Sequence, residues 1–242
     1  MDKGDARGRE ESESGGSSGR LAGSRHSKLF DRFVRGPITH IDLAQPTVKV
    51  HPFSEPGWIF EMKYDGHRCL LSRFETPQMI SRDGWEMSRV FQELRNELED
   101  LPLGTVIDGE LLMVDQDGFP EFNRLLGRAA ISPPGSVARG YRRQPAALVC
   151  WDLLMLGGED FRSVPLLERK AALKEVLRGM ERVWYAGHVA AEGERMFAEA
   201  RFLELEGIVA KRAGSFYAGG CTPNWIAIKT PIGIALEKQR NK

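Results

Sequence analysis

Lys63, Asp65 and Arg68 lie close together in WIFEMKYDGHRCLL, a stretch that otherwise has the aromatic and aliphatic make-up of a buried strand. Residues two apart on a strand share a face, so Lys63 and Asp65 project together, opposite Met62 and Tyr64. Gly66 then permits a tight turn at the strand end. A lysine in this setting fits two roles. It is one half of a surface ion pair, the ordinary meaning of a single K-x-D-G, or it is a nucleophile. Nucleophilic attack needs the neutral amine, hence desolvation or nearby positive charge, and Asp65 alone acts the other way. A working site must therefore hold a metal or further cations.

Other charged residues interrupt apolar strands in the same manner. TVIDGELLMV puts Asp108 and Glu110 on one face, EGIVAKR begins at Glu206 and ends near Lys211, and WIAIK sets Trp225, Ala227 and Lys229 on one side. Each alone fits a strand end facing water. Together they suggest several strands aiming carboxylates and lysines into one cleft, the equipment for Mg²⁺ and a nucleotide phosphate.

The elements that must position these residues are legible from composition and period. Strands are expected at 58–63, 67–74, 78–82, 105–114, 147–156, 182–186, 207–213 and 224–230. Three helices interrupt them. One is RVFQELRNELEDL, capped by Ser88, with Phe91, Leu94, Leu98 and Leu101 at helical spacing. The second is PLLERKAALKEVLRGM, with Pro165 in its first turn and a stripe of Leu173, Val176, Leu177 and Met180. The third, GERMFAEARFLELEG, is expected to bury Met196, Phe197, Ala200 and Leu203 and to stop near Gly207. All three stripes read as core without chemistry. Residues 36–57 read as an extended connection, VDQDGFPEF as a hairpin closed by Asp117-Gly118, and 129–145 as a long Pro/Gly/Arg loop. Calcium is excluded at that hairpin because Leu126 stands where a glutamate is required.

The series EMKYDGHR, SRDG, IDGELL, WDLLML, LEGIVAKR and WIAIKTP, spread in order over residues 61–231, resembles the covalent nucleotidyltransferases, and among them the ATP-dependent DNA ligases of the bacterial end-joining type. The resemblance implies an α+β, ATP-grasp-like nucleotidyltransferase domain with antiparallel sheets flanked by helices. It also implies ATP and Mg²⁺ (or Mn²⁺) as cofactors. Lys63 corresponds to the lysine that attacks the α-phosphate of ATP. Glu61 falls where the family reads the adenine edge, Arg68 where it contacts the nucleotide, and Arg82 where an arginine meets the nucleotide or a 5′-phosphate. Glu110 is similar to the ribose-binding glutamate and Trp151 to the aromatic that stacks on adenine. Lys229 belongs to the final lysine motif, and Asp65 and Glu206 resemble metal-coordinating carboxylates.

Two departures bear on activity. The family's final motif reads W-x-K-x-K, and here Ala227 stands at the first lysine, which removes an ammonium from the cleft side of the strand. Such a loss of charge stabilisation commonly costs about 10²-fold in rate. After Lys229 only TPIGIALEKQRNK remains, too short for the OB-fold that follows in DNA ligases. The expected organisation is a disordered tail at 1–28, a nucleotidyltransferase domain at 29–232 and a short tail at 233–242. Nicked or broken duplex DNA is the expected substrate, with a repair protein expected to supply the missing surface. The alternative readings are a weakened nucleotide- or DNA-end-binding module, or an RNA ligase or GTP-using capping enzyme.

Bulk properties narrow the field. The 242 residues are 41% hydrophobic, enough for a substantial core, and no apolar run is long enough to cross a bilayer, so no membrane partner is expected. Lys and Arg total 34, as do Asp and Glu, so nucleic-acid contact must come from local clusters such as Arg139, Arg142 and Arg143. Cys69, Cys150 and Cys221 are odd in number and widely spaced, which points to a reducing compartment, and the five histidines form no zinc pattern. A cytoplasmic, nucleoid-associated protein is the expectation.

Overall fold

The computed structural model describes residues 38–40, 43–114 and 146–240. The expected tail at 1–28, the Asp117-Gly118 hairpin and the 129–145 loop with its three arginines lie outside the described residues. Two sheets face one another. The first has the order β1 (Ala44–Val48), β11 (Gly220–Lys229), β10 (Gly207–Arg212), β2 (Trp58–Lys63), β9 (Val189–Ala190). The second runs β4 (Pro77–Ser81), β3 (His67–Arg73), β5 (Thr105–Met113), β6 (Ala146–Leu156), β7 (Glu159–Asp160), with β8 (Val183–Tyr185) beside β6. Pairing is antiparallel except for β1 with β11 and β6 with β8, so the sheets are mixed rather than wholly antiparallel.

Period-two alternation explains the layering. In β2, β10 and β11, Phe60, Ile208, Ala210 and Ile228 turn to one core, shared with Met196 and Ala200 of helix α3 (Gly193–Phe202). The opposite face carries Glu61, Lys63, Val209, Lys211, Ala227 and Lys229. The second sheet packs Ile107, Leu111, Leu148 and Cys150 against Phe91, Leu94 of helix α1 (Gln92–Glu97) and Leu173 of helix α2 (Leu166–Val176). Its other face meets the first sheet through Leu70, Val106, Tyr217 and Trp225. The functional residues thus occupy the seam between the sheets.

Several expectations change. Residues 44–48 are not a free connection, because β1 pairs in parallel with β11. That partner is remote in sequence, and the segment's own pattern gives no sign of it. Ser88 does not cap α1; its Oγ accepts from Met79 N at 2.8 Å, and the helix begins at Gln92 after Phe91. α3 ends at Phe202 rather than near Gly207, and Leu203 is 58% exposed instead of buried. The region expected as a tail begins inside helix α4 (Pro231–Arg240). The three cysteines are free.

α2 is the most instructive case. Leu173 and Leu177 are buried as expected, but so are Arg169 and Lys170 on the same side. Its first backbone amides have no side-chain cap; Leu166 N and Leu167 N donate to Ser215 O and Ala213 O instead. The helix therefore carries charge into the interior, contrary to its reading as core without chemistry.

Candidate active site

β2 delivers the central lysine. As the last residue of the strand, Lys63 lies opposite Gly207 of β10, and its Nζ donates to Glu206 Oε2 at 2.8 Å. Lys63 is 23% exposed, whereas Glu206 is buried beneath it. Gly207, with φ of +154°, carries no side chain between Lys63 and Lys229, its partners on either side. Gly66 follows the strand and is needed for close approach rather than for a left-handed turn. A Cβ there would collide with the Leu111 carbonyl and come within 2.6 Å of Leu112. The close passage lets Gly66 N donate to Glu110 Oε1 at 2.8 Å.

A cleft of about 930 Å³ opens over these residues. Its walls include Lys63, Asp65, Arg68 and Glu110 together with Glu61, Trp151, Lys211, Arg82 and Lys229. Sequence-expected positions from five strands and two adjoining turns are thus brought to one place. Glu206 is the exception, lying behind Lys63 and off the wall.

Side-chain partners differentiate the group. Glu61 is buried between two ammonium groups, Lys170 Nζ at 2.6 Å and Lys211 Nζ at 2.7 Å. Burial alone would raise its pKa, but the two lysines outweigh that and hold it below the usual value. One carboxylate against two ammoniums leaves positive charge behind this side of the cleft. Lys211 also lies 4.1 Å from the Trp225 ring centroid and 5.4 Å from that of Trp151. Arg68 forks onto Asp108 at 3.0 and 2.6 Å and donates to Ala44 O at 2.5 Å, so most of its guanidinium is committed before any ligand arrives. Asp108 also accepts from Tyr217 OH at 2.8 Å. Asp108 and Glu110 share a face but divide their work: the first is buried on Arg68, the second reaches the cleft.

Glu110 is pushed up to about 7, chiefly by desolvation, with Glu206 adding to the rise and Lys63 and the Gly66 amide opposing it. Arg82 stands at the mouth, 64% exposed, with Asp83 at 3.8 Å. Trp151 lines the cleft, and its buried Nε1 lacks a protein acceptor. Lys229 pairs with Glu237 of α4.

Lys170 and Asp108's pairing with Arg68 escape a motif-by-motif reading. A signal for Lys170 exists: charged residues at 169 and 170 fall four and three positions before Leu173, inside the apolar stripe of their helix. Lys211, near the end of EGIVAKR, is buried against Glu61.

Among the described residues no group of three or more His, Cys, Asp or Glu side chains forms a metal cage. The oxygen donors nonetheless fit Mg²⁺, which takes one or two carboxylates and completes its shell with substrate phosphates and water. Asp65 and Glu110 are carboxylates on the cleft wall, and Glu206 lies behind Lys63.

The profile of a family described as ATP dependent DNA ligase domain matches residues 42–229. The chain is 32% identical over 180 residues to the multifunctional non-homologous end joining protein LigD of Pseudomonas aeruginosa, covering 72% of this chain and 20% of that protein. It is 34% identical over 162 residues to DNA ligase C2 of Mycolicibacterium smegmatis, covering 64% of this chain and 45% of that one. The chain therefore spans less than half the length of either relative. Among solved structures, a mycobacterial DNA ligase D complexed with ATP and MES superposes with a TM-score of 0.64 at 23% identity, over 80% of this chain and 62% of that one. This likeness shows a shared fold.

Proposed function

The chain belongs to the ATP-dependent DNA ligase domain family, and from that premise we propose that it joins DNA strand breaks through AMP carried on Lys63. The observation that carries the reading is Lys63 itself, largely shielded, hydrogen-bonded to Glu206 and facing a cleft that also holds Glu110, Trp151 and Lys229. Lys63 Nζ attacks the α-phosphorus of ATP. A P–N bond forms, the bond to the bridging oxygen breaks, and pyrophosphate leaves. The amine is nucleophilic only after losing its ammonium proton, and Glu206 Oε2 at 2.8 Å is an acceptor in place to take it. A 5′-phosphate oxygen then attacks the same phosphorus and frees Lys63. Finally a 3′-hydroxyl attacks the 5′-phosphorus and releases AMP.

The other side chains bind and orient. Trp151 offers a face to adenine, a stack worth about 1–3 kcal/mol, and Glu61, held ionised by Lys170 and Lys211, supplies an acceptor for the base edge. Glu110 serves the ribose. Arg68, held by Asp108, Lys229 and Arg82 meet phosphate oxygens, and positioning plus electrostatics carry most of the rate enhancement in this chemistry. Mg²⁺, when bound, would be held by Asp65 on the cleft wall and by Glu206 once Lys63 has turned from it to the phosphate, and would neutralise charge developing on the phosphates. Nicked duplex DNA is the substrate proposed, with any further binding surface supplied by a partner protein.

Incubation with α-labelled ATP and Mg²⁺ followed by denaturation should leave label on the protein, and Lys63→Ala should abolish it. Absence of label, or label that survives the substitution, rejects the mechanism. A second reading, a nucleotide- or DNA-end-binding module, is favoured by Ala227, which puts a methyl group on the wall beside Lys229. Ala227→Lys separates the two: a large gain in labelling marks a handicapped enzyme, and no gain marks a binding protein.

A further inference from the structure

Helix α4 contributes to the wall of the cleft. Leu236, Glu237 and Gln239 line the same space as Lys63, Ala227 and Lys229. The root of the helix is fixed. Gly233 N donates to Thr230 Oγ1 at 3.2 Å, Thr230 Oγ1 reaches Leu205 O at 2.7 Å, and Gly233 packs so closely on the Glu206 carbonyl that no Cβ fits between them. Farther along, the helix faces solvent at Ile234, and Glu237 turns its carboxylate onto Lys229 Nζ. Lys229 is only 13% exposed and Glu237 49%, so the lysine is the shielded member of the pair.

We propose that α4 is a latch on this cleft: Glu237 occupies the anion position of Lys229, and a polyphosphate must displace it to bind. A carboxylate and a phosphate offer the same ammonium equivalent oxygen acceptors, so the two compete for one position. The contact is weak by design of its surroundings, since a half-exposed ion pair is screened by water. A ligand with several negative charges therefore opens the latch by mass action, and its apparent affinity falls by the fraction of molecules that are open. Ala227 suits the closed arrangement. With Val48, Val209 and Leu236 it gives this part of the cleft an apolar lining, where a second lysine would add another charge for Glu237 to meet. The anion's identity as the phosphates of ATP rests on the function proposed above; the latch itself does not.

The test is titration calorimetry of the full chain with inorganic tripolyphosphate at low salt, a probe that cannot label Lys63. Glu237→Gln, an exposed substitution that leaves the root of α4 intact, should bind about two- to five-fold tighter than the unmodified protein. Glu175→Gln, which removes an exposed negative charge that pairs with Arg178 and does not line the cleft, should bind unchanged. Equal affinity with and without Glu237, weaker binding by Glu237→Gln, no binding by either protein, or an equal gain in Glu175→Gln overturns the latch. Failure of labelling by ATP would reject nucleotidyl transfer yet leave a tripolyphosphate difference standing, so the two ideas fail separately.

Discussion

Glu110 shows how a single side chain records the cleft's charge balance. With a folded pKa of about 7 against 4.5 for the free group, the folded protein binds this proton more tightly than the unfolded chain. The contribution to stability is present in full below pH 4.5 and is lost as pH rises through about 7. The shift corresponds to about 3 kcal/mol at most. Glu110→Gln keeps an acceptor for the Gly66 amide and removes the titration. Denaturant unfolding at pH 5 and pH 8 should show the substituted protein gaining stability relative to the unmodified one at the higher pH and losing that advantage at the lower. An advantage that is the same at both pH values contradicts the assignment. Of the residues expected from sequence, Lys63, Glu110 and Trp151 reach the cleft as their strand positions require. The commitment of Arg68 to Asp108 and of Glu61 to two lysines is invisible in sequence, because each partner comes from another element.

Element boundaries depend on backbone details that the apolar pattern does not encode. α3 closes through a residue in the left-handed region: Glu204 has φ of 55°, Leu205 N donates to Ala200 O at 2.9 Å, and Glu204 N donates to Arg201 O at 3.3 Å. That is the paired closure ordinarily built on glycine. Glu204→Gly relieves the Cβ crowding and should raise stability by about 0.5–1 kcal/mol, read as an increased midpoint in urea. A decrease would mean that the carboxylate contributes more than the strain costs. The sequence places α3 correctly but runs it on to Gly207, since Phe202 and Leu203 continue the apolar pattern while facing solvent. α2 errs in the other direction: its apolar stripe is real, yet two cations share it because their partners, Asp152 and Glu61, wait on β6 and β2.

Across the whole molecule, buried ion pairs tie the layers around the cleft. Arg169 forks onto Asp152 at 2.6 and 2.8 Å, with both side chains fully buried, and also donates to Ser215 O on the way into β11. This joins α2 and the second sheet to the segment that feeds the first. Asp152→Ala leaves a buried guanidinium without its counter-charge and should cost about 3–5 kcal/mol in urea unfolding. A loss below 1 kcal/mol would show that the backbone carbonyls of Val164 and Ser215 alone satisfy Arg169. Asp152→Ala should weaken any lysyl-AMP formation only as far as it unfolds the protein, since Asp152 does not line the cleft.

The sequence by itself determined the strands and the face on which each charge lies, because side-chain direction along a strand alternates with fixed period and the motifs fall at strand ends. It thereby determined that Lys63, Glu110, Trp151 and Lys229 had one cleft to share. Only the tertiary structure decided who neutralises whom: Glu206 with Lys63, Asp108 with Arg68, Lys170 and Lys211 with Glu61, and Glu237 with Lys229. Electrostatic pairing acts over a few ångströms and ignores distance along the chain, so it exists only once the two sheets have closed on one another.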